Sequence, residues 1–239
     1  MNLVLFCEDE VRRPLPRHDP RARHILEVLR RRPGEAFDAG LVNGPHGRGV
    51  LASVGADGLV LEFTWGGLPP PPDTITLLVG LPRPQTARDI LREATTLGVA
   101  ALHFVACEKA ERSYRQSSLW RSGAWRAPVL AGAAQAFDTR VPEVRCGASL
   151  AEAVAELDAG SVRLALDNYE AAVPLASVPL SRAVPVALAI GPERGWSAAD
   201  RNLLRAAGFT LAGLGPRVLR TETAVVAALT LVKSARGSL

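Results

Sequence analysis

Ile190-Gly191-Pro192-Glu193-Arg194-Gly195-Trp196-Ser197, followed by Leu214-Gly215-Pro216-Arg217-Val218-Leu219-Arg220-Thr221-Glu222-Thr223-Ala224, decides the reading of this 239-residue chain. Each stretch is a glycine- and proline-bearing loop between an apolar run and a helix-like run. Glycine has no Cβ and takes positive φ readily, so such loops let backbone approach a ligand closely. Two of them near one C-terminus imply one pocket built mostly from main chain. Apolar strands precede both loops, at Val184 to Ile190 and at Phe209 to Leu214. Ser197, with Asp200 three residues on, caps a helix that Gly208 ends. Thr221 to Arg236 is a final apolar helix.

The same alternation continues upstream. Ile75 to Gly80, Ala101 to Ala106 and Val162 to Leu166 read as strands. Thr86 to Leu97 reads as a helix with Ile90, Leu91 and Ala94 on one face. Leu119 to Gln135 reads as a helix with a break near Pro128. Ser149 and Glu152 form a capping box that opens a helix to Leu157. Strands and helices in turn predict an α/β domain with a parallel sheet.

Gly66-Gly67-Leu68-Pro69-Pro70-Pro71-Pro72-Asp73 is a stiff spacer that can continue neither a helix nor a central strand. It divides the chain into a small unit, residues 1–68, and a larger one, residues 73–239. The small unit reads as mostly β, with strands at Leu3 to Phe6, Ala36 to Val42, Gly49 to Val54 and Leu59 to Trp65. One helix, His18 to Arg31, interrupts them, with Ile25, Val28 and Leu29 as its apolar stripe. A small barrel is the natural closure.

Composition narrows the class. Hydrophobic residues make up 48% of the chain, which suits a globular protein. No apolar run reaches the roughly 20 residues of a membrane span, and the N-terminus lacks the basic opening of a signal peptide. A cytoplasmic location is expected. Cys7, Cys107 and Cys146 are scattered and read as reduced thiols. The four histidines lie far apart, so no metal is expected. The net charge is +4, and between Val11 and Arg32 eight arginines face only Asp19 and Glu27. Such a cluster attracts a polyanion or is simply a solvated surface. Dinucleotide, P-loop, zinc-protease and nucleophile-elbow signatures are all missing.

Ligands of an open α/β sheet bind beyond the carboxyl ends of its strands. Leu166-Asp167-Asn168, Gly191 to Gly195 and Leu214 to Arg220 each follow a strand. If those strands are neighbours, the three loops share one cleft, with Leu214, Val218 and Leu219 packing a flat ring.

The two C-terminal loops resemble the closing motifs of the ribosomal RNA uracil-N3 methyltransferases, a branch of the SPOUT, or trefoil-knot, methyltransferases. That family shows a Gly-Pro-Glu-Gly-Gly loop and then a Leu-Gly-x-Arg-Ile-Leu-Arg-x-Glu-Thr-Ala segment. Upstream, Arg23-His24-Ile25-Leu26-Glu27-Val28-Leu29-Arg30, Leu97-Gly98-Val99, and Ala133-Ala134-Gln135 with Arg140 are similar to further family segments. The resemblance implies a PUA-like barrel that helps hold RNA, followed by a trefoil-knotted, parallel-sheet α/β domain that binds S-adenosylmethionine. It implies a homodimer that methylates N3 of a uridine in 16S ribosomal RNA, in the small ribosomal subunit. Carried over residue by residue, the cofactor would meet Leu166, Asp167, Gly191, Pro192, Glu193, Gly195, Leu214, Gly215, Pro216, Val218, Leu219, Thr223 and Ala224. RNA would meet Arg12, Arg23, His24, Arg30, Gln135, Arg140 and Arg194.

Methyl transfer to uracil N3 needs that nitrogen deprotonated, by a general base or by donors that stabilise the uracil anion. Arg220 suits the second role, or it is a helix-entry residue pairing with Glu222. Glu193 is a candidate base, or it bonds backbone or ribose. Several positions depart from the family, among them Arg83 and Arg88, which stand at the lysine-rich start of the family's second domain. Arg194 stands where the loop has its second glycine, so a positive φ there would strain it. Thr96 replaces a glutamate. Two other readings stay open: a SPOUT enzyme acting elsewhere on RNA, such as a ribose 2′-hydroxyl, and a non-catalytic RNA-binding module.

Overall fold

The computed structural model describes residues 3–239, which form two units. The first contains β1 (Val4–Phe6), α1 (Pro20–Arg23), β2 (Ala36–Leu41), β3 (His46–Val54) and β4 (Leu59–Trp65). The strands pair in the order β1-β2-β3-β4, with β1 parallel to β2 and the other pairs antiparallel. Among the described residues no ladder returns from β4 to β1. What is seen of the expected barrel is a four-stranded sheet with one added bridge, Leu15 to Leu59. Phe6, Ile25, Phe37, Leu51 and Leu59 fill its core.

The helix expected from His18 to Arg31 is shorter and of mixed type. Asp19 caps α1 by accepting from the Arg21 N–H. The chain then widens into a π-helical turn over His24–Val28, where the Leu29 N–H donates to the His24 carbonyl. An i→i+5 turn breaks the 3.6-residue period. Ile25 therefore stays buried while Val28, expected on the apolar stripe, is 61% exposed. Arg30 ends the turn at φ 53°, an uncommon value for a residue with a side chain.

The spacer is not the only boundary, because the first unit also takes in Ala133–Val141. There the Thr139 hydroxyl donates to the Gly44 carbonyl (2.6 Å), and the Val141 N–H donates to Asn43 Oδ1 (3.0 Å). These partners are over ninety residues apart in sequence, and no local pattern announces them.

The second unit runs β5 (Asp73–Gly80), α2 (Pro84–Thr96), β6 (Val99–Ala106), α3 (Ser118–Arg121), α4 (Arg126–Ala136), β7 (Glu143–Ser149), α5 (Leu150–Ala155), β8 (Val162–Leu166), β9 (Val173–Pro174), β10 (Val186–Ile190), α6 (Ala198–Ala206), β11 (Thr210–Gly213) and α7 (Thr221–Ala235). Its seven strands are all parallel, in the order β7-β6-β5-β10-β8-β11-β9. The α/β class holds. Strands β7 and β9 were not expected: β7 has a single β-branched residue and β9 only two positions. The break in the Leu119 region falls at Ser122 to Trp125, where Gly123 has φ 74°. Pro128 lies in the first turn of α4, where its missing N–H costs nothing.

Trp196, Leu204 and Phe209 pack with Leu150 and Val154 against Leu78, Val105 and Ala189 of the sheet. Helix α7 packs on α2 and β10. Its far end is anchored by Arg236, 5% exposed, whose guanidinium donates to the carbonyls of Ser181 and Arg182 (both 3.1 Å), to Thr74 Oγ1 (3.0 Å) and to the Val184 carbonyl. Lys233 pairs with Asp73. Burial pushes the Asp73 carboxyl up, but the Lys233 ammonium, the Ser238 hydroxyl and nearby Arg236 outweigh it and hold the group below its ordinary value. These bonds fix α7, whose first turn reaches the cleft described next.

Candidate active site

Strands β10, β8 and β11 are neighbours. Leu166 pairs with Ile190 on one side and with Ala212 on the other, so the three strand ends lie level. The loops after them emerge side by side, at the edge where α/β sheets bind ligands. Together with the start of α7 they line one cleft.

Asp167, the first residue after β8, organises that edge. One carboxylate oxygen, Oδ1, accepts from the N–H groups of Tyr169 and Glu170 (both 2.7 Å). The other, Oδ2, accepts from Arg201 Nε of α6 at 2.6 Å. Asp167 is 5% exposed and Arg201 7%. Asp167 lines the cleft as expected, but its carboxylate is spent on holding the loop. Arg201 also lies 5.5 Å over the Tyr169 ring and 3.6 Å from Glu170. Trp196 adds a second tie: its indole N–H donates to the Leu166 carbonyl at 3.0 Å, joining the β10 loop to the end of β8.

In the β10 loop the Gly195 N–H donates to the Pro192 carbonyl at 2.8 Å. The positive φ of this turn falls on Gly195, at 67°, and not on Arg194. Arginine in place of the family glycine is therefore unstrained, and its side chain is exposed. The loop lies directly on the end of β5, where Gly80 makes room. A Cβ on Gly80 would overlap Pro192 Cδ and stand 2.7 Å from Pro192 N and 3.0 Å from Cys107 Sγ. Gly80→Ala is expected to cost about 1–3 kcal/mol through overpacking and to displace the loop. Cofactor affinity by calorimetry should fall with the melting temperature; unchanged affinity would show that the loop's position does not set the cleft. Glu193 Oε1 accepts from the Arg83 N–H (2.9 Å) and Arg83 Nε (3.5 Å) at the start of α2, while Oε2 has no partner among the described residues.

The last loop supplies the apolar wall. Leu214, Val218, Leu219, Thr221 and Ala224 line the cleft with Leu166 and Ile190. The N–H groups of Leu214, Val218 and Leu219 lie outside helices and strands and donate to no acceptor among the described residues. An adenine offers a flat apolar face and edge acceptors, so this donor set and wall fit an adenosine-bearing cofactor. Of the expected cofactor residues, Gly215, Pro216 and Thr223 fall outside the lining, because the loop turns Gly215 and Pro216 to solvent. Tyr169, Trp196, Arg201 and Thr221 line it without having been named as cofactor residues, and Asn168 lines it from a loop expected at the cleft. Trp196 and Thr221 were within quoted motifs. Arg201 carried no signal beyond being the fourth residue after the Ser197 cap.

Arg220 stands between Leu219 and Thr221, at the N-cap of α7. Its side chain is exposed and makes no ion pair or hydrogen bond among the described residues, so the alternative of pairing with Glu222 is not realised.

The expected RNA residues are divided in fate. Arg12, Arg23 and Arg30 are exposed, with no side-chain partners among the described residues, His24 is half-buried, and Gln135 is exposed. Arg140 is not available in the same way: its guanidinium donates to the Pro69 carbonyl at 3.1 Å and its Nε is buried. Other members of the arginine cluster are also engaged. Arg21 bonds Glu10, Asp19 and the Leu5 carbonyl, and Arg13 pairs with Asp9. Among the described residues no three metal-binding side chains gather, and no helix is long and apolar enough to cross a membrane.

The α/β fold, with its parallel sheet in this order and a cleft at the ends of β10, β8 and β11, is shared by solved structures. A probable rRNA-methyltransferase from Porphyromonas gingivalis superposes with a TM-score of 0.84 at 20% identity, covering 99% of both chains. A ribosomal RNA small subunit methyltransferase E from Neisseria gonorrhoeae, bound to S-adenosyl methionine, superposes with a TM-score of 0.78 at 23% identity, covering 99% of this chain and 98% of that one. The RNA methyltransferase domain family matches residues 69–233. The ribosomal RNA small subunit methyltransferase E of Treponema pallidum (strain Nichols) is 34% identical over 245 residues, 97% of this chain and 90% of that protein. The chain belongs to this RNA methyltransferase family.

Proposed function

We propose that this chain is an S-adenosylmethionine-dependent methyltransferase acting on N3 of a uridine in 16S ribosomal RNA. The observation that carries the reading is the cleft at the level ends of β8, β10 and β11, with free main-chain donors, an apolar wall and the unpaired Arg220 beside it. Membership of the family and relatives named for small-subunit rRNA methylation support it. Bound there, the cofactor would supply an electrophilic methyl group on a sulfonium. The chain's own residues do the rest. Leu214, Val218 and Leu219 hold the adenine. The Arg220 guanidinium donates to a uracil carbonyl oxygen and stabilises the negative charge that appears when the N3 proton leaves. Glu193 Oε2, without partners, is the assigned proton acceptor. The residues lining the cleft would align that methyl group with N3, and such alignment supplies much of the rate.

The first unit, read as a PUA-like RNA-holding domain, would contribute Arg12, Arg23 and Arg30. Arg194 would face RNA phosphate from the β10 loop. The knotted thread of the second domain, a homodimeric state and a cytoplasmic site of action belong to the same reading and rest on the resemblance. Labelled S-adenosylmethionine incubated with 16S rRNA and with small-subunit particles should yield 3-methyluridine on nucleoside analysis. A ribose-methylated product would move the target atom. No product, with no cofactor binding by calorimetry, would leave a non-catalytic RNA-binding module.

A further inference from the structure

A second pocket lies at the other end of the same sheet. Trp120 of α3 rests on Phe104 of β6, with ring centroids 4.9 Å apart. On the adjoining edge strand β7, Val144 and Cys146 are opposite Leu102 and Phe104. Residues two apart share a face of a strand, so both β7 side chains border the place where Trp120 sits. Trp125, in the turn between α3 and α4, and the guanidinium-bearing Arg115 and Arg121 complete the lining of an open pocket.

Its chemistry is distinctive. Two of the chain's four tryptophans are here. Both charged residues of the lining are arginines, and no carboxylate joins them. Burial pushes the Cys146 thiol up to about 11, so the cysteine is a neutral, apolar wall. The Arg126 guanidinium lies 4.7 Å over the Trp125 ring, so one face of this indole already accepts a flat cation. The indole N–H of Trp120 is buried with no acceptor among the described residues. Indole faces stack on bases and guanidinium groups meet phosphates; single-stranded nucleic acids are held by this combination.

We propose that this pocket holds an unpaired nucleotide of the RNA substrate, its base against Trp120 and Trp125 and its phosphate on Arg115 and Arg121. This rests on the RNA-methylation reading above. Strand β7 is three strand spacings from β10, roughly 15 Å at about 4.8 Å per spacing. A nucleotide held there would flank the reacting uridine by a few positions and fix its register.

The full-length protein titrated with short oligouridylate, followed by tryptophan fluorescence, tests this. Oligouridylate should quench the wild-type signal. Trp125→Ala should weaken binding about tenfold, the scale of one lost base stack, while Trp125→Phe keeps most of the affinity. Arg121→Ala should lower the slope of log affinity against log salt by about one. Full oligouridylate affinity in both Trp125→Ala and Arg121→Ala would overturn the proposal. So would uridine monophosphate binding as tightly as the oligonucleotide, which marks a free-nucleotide site. Unchanged RNA affinity with a sedimentation change in Trp125→Ala would make the pocket a protein contact instead. Cofactor calorimetry on each variant reports folding. A wild-type protein that methylates nothing, yet loses RNA affinity in these variants, would sink the methylation reading and keep the pocket.

Discussion

Arg201→Ala is expected to lower stability by about 3–5 kcal/mol, because it leaves the Asp167 carboxylate buried beside an emptied position. In a chain of this length that is a fall of roughly 10 °C in melting temperature. The argument turns on burial. An exposed ion pair is worth about 0–1 kcal/mol, but here Arg201 Nε meets Asp167 Oδ2 at 2.6 Å with side chains 9% and 2% exposed. The same carboxylate holds the Tyr169 and Glu170 N–H groups, so its second oxygen cannot simply turn to water without undoing the loop. Cofactor affinity is therefore expected to fall along with stability. Arg201→Lys keeps the charge but loses the rigid fork and the stack over Tyr169, so it should recover only part of either quantity. Thermal unfolding and calorimetry on the two variants check this. A melting temperature for Arg201→Ala within a degree of wild type would mean that the pair is dispensable. Normal cofactor affinity in a destabilised variant would mean that the 167–170 loop is not part of the binding surface.

That pair also shows where sequence stops being legible. The strands ending at Leu166, Ile190 and Gly213 were readable because each is an apolar run closed by a turn signal, and local pattern is enough for that. The Ser197 cap was readable from its place before the helical run; it forms as expected, and Asp200 closes it into a capping box. Convergence of the three loops needed β8 to lie between β10 and β11, a matter of long-range pairing that the alternation of elements allows but does not dictate. Arg201 looked like any polar residue of an amphipathic helix. Its burial follows only from where α6 packs, and that packing gives Asp167, which lines the cleft, the further task of anchoring its loop. Arg140 was named from its motif alone, and that motif gave no sign that the return of Ala133–Val141 to the first unit brings its guanidinium to the Pro69 carbonyl. Strand β7, poor in β-branched residues, escaped for want of propensity, and the tryptophan pocket on its border escaped with it.

Arg220→Ser is expected to cut the turnover number by about 10²–10³-fold, the usual cost of removing one donor aimed at developing negative charge, while leaving the fold as stable as before or more so. The second half of that expectation separates a catalytic arginine from a structural one. Arg220 is the N-cap of α7, and its side chain makes no capping bond. A helix N-terminus carries partial positive charge and disfavours a cation. A serine there accepts from a free first-turn N–H and stabilises a helix by about 1 kcal/mol, which is roughly 2–4 °C in a chain of this size. The residue present is thus locally the wrong one for helix stability, and rule-breaking residues of this kind concentrate at functional sites. If the guanidinium stabilises the uracil anion, the variant's turnover should also climb with pH more steeply than that of wild type, since hydroxide can remove the N3 proton that Arg220 no longer helps to release. RNA and cofactor affinities should hold. A variant that melts lower and loses turnover only in proportion, with an unaltered pH profile, would return Arg220 to the role of a helix-entry residue and shift the search for the uracil donor to Arg217, the other exposed cation on the same loop.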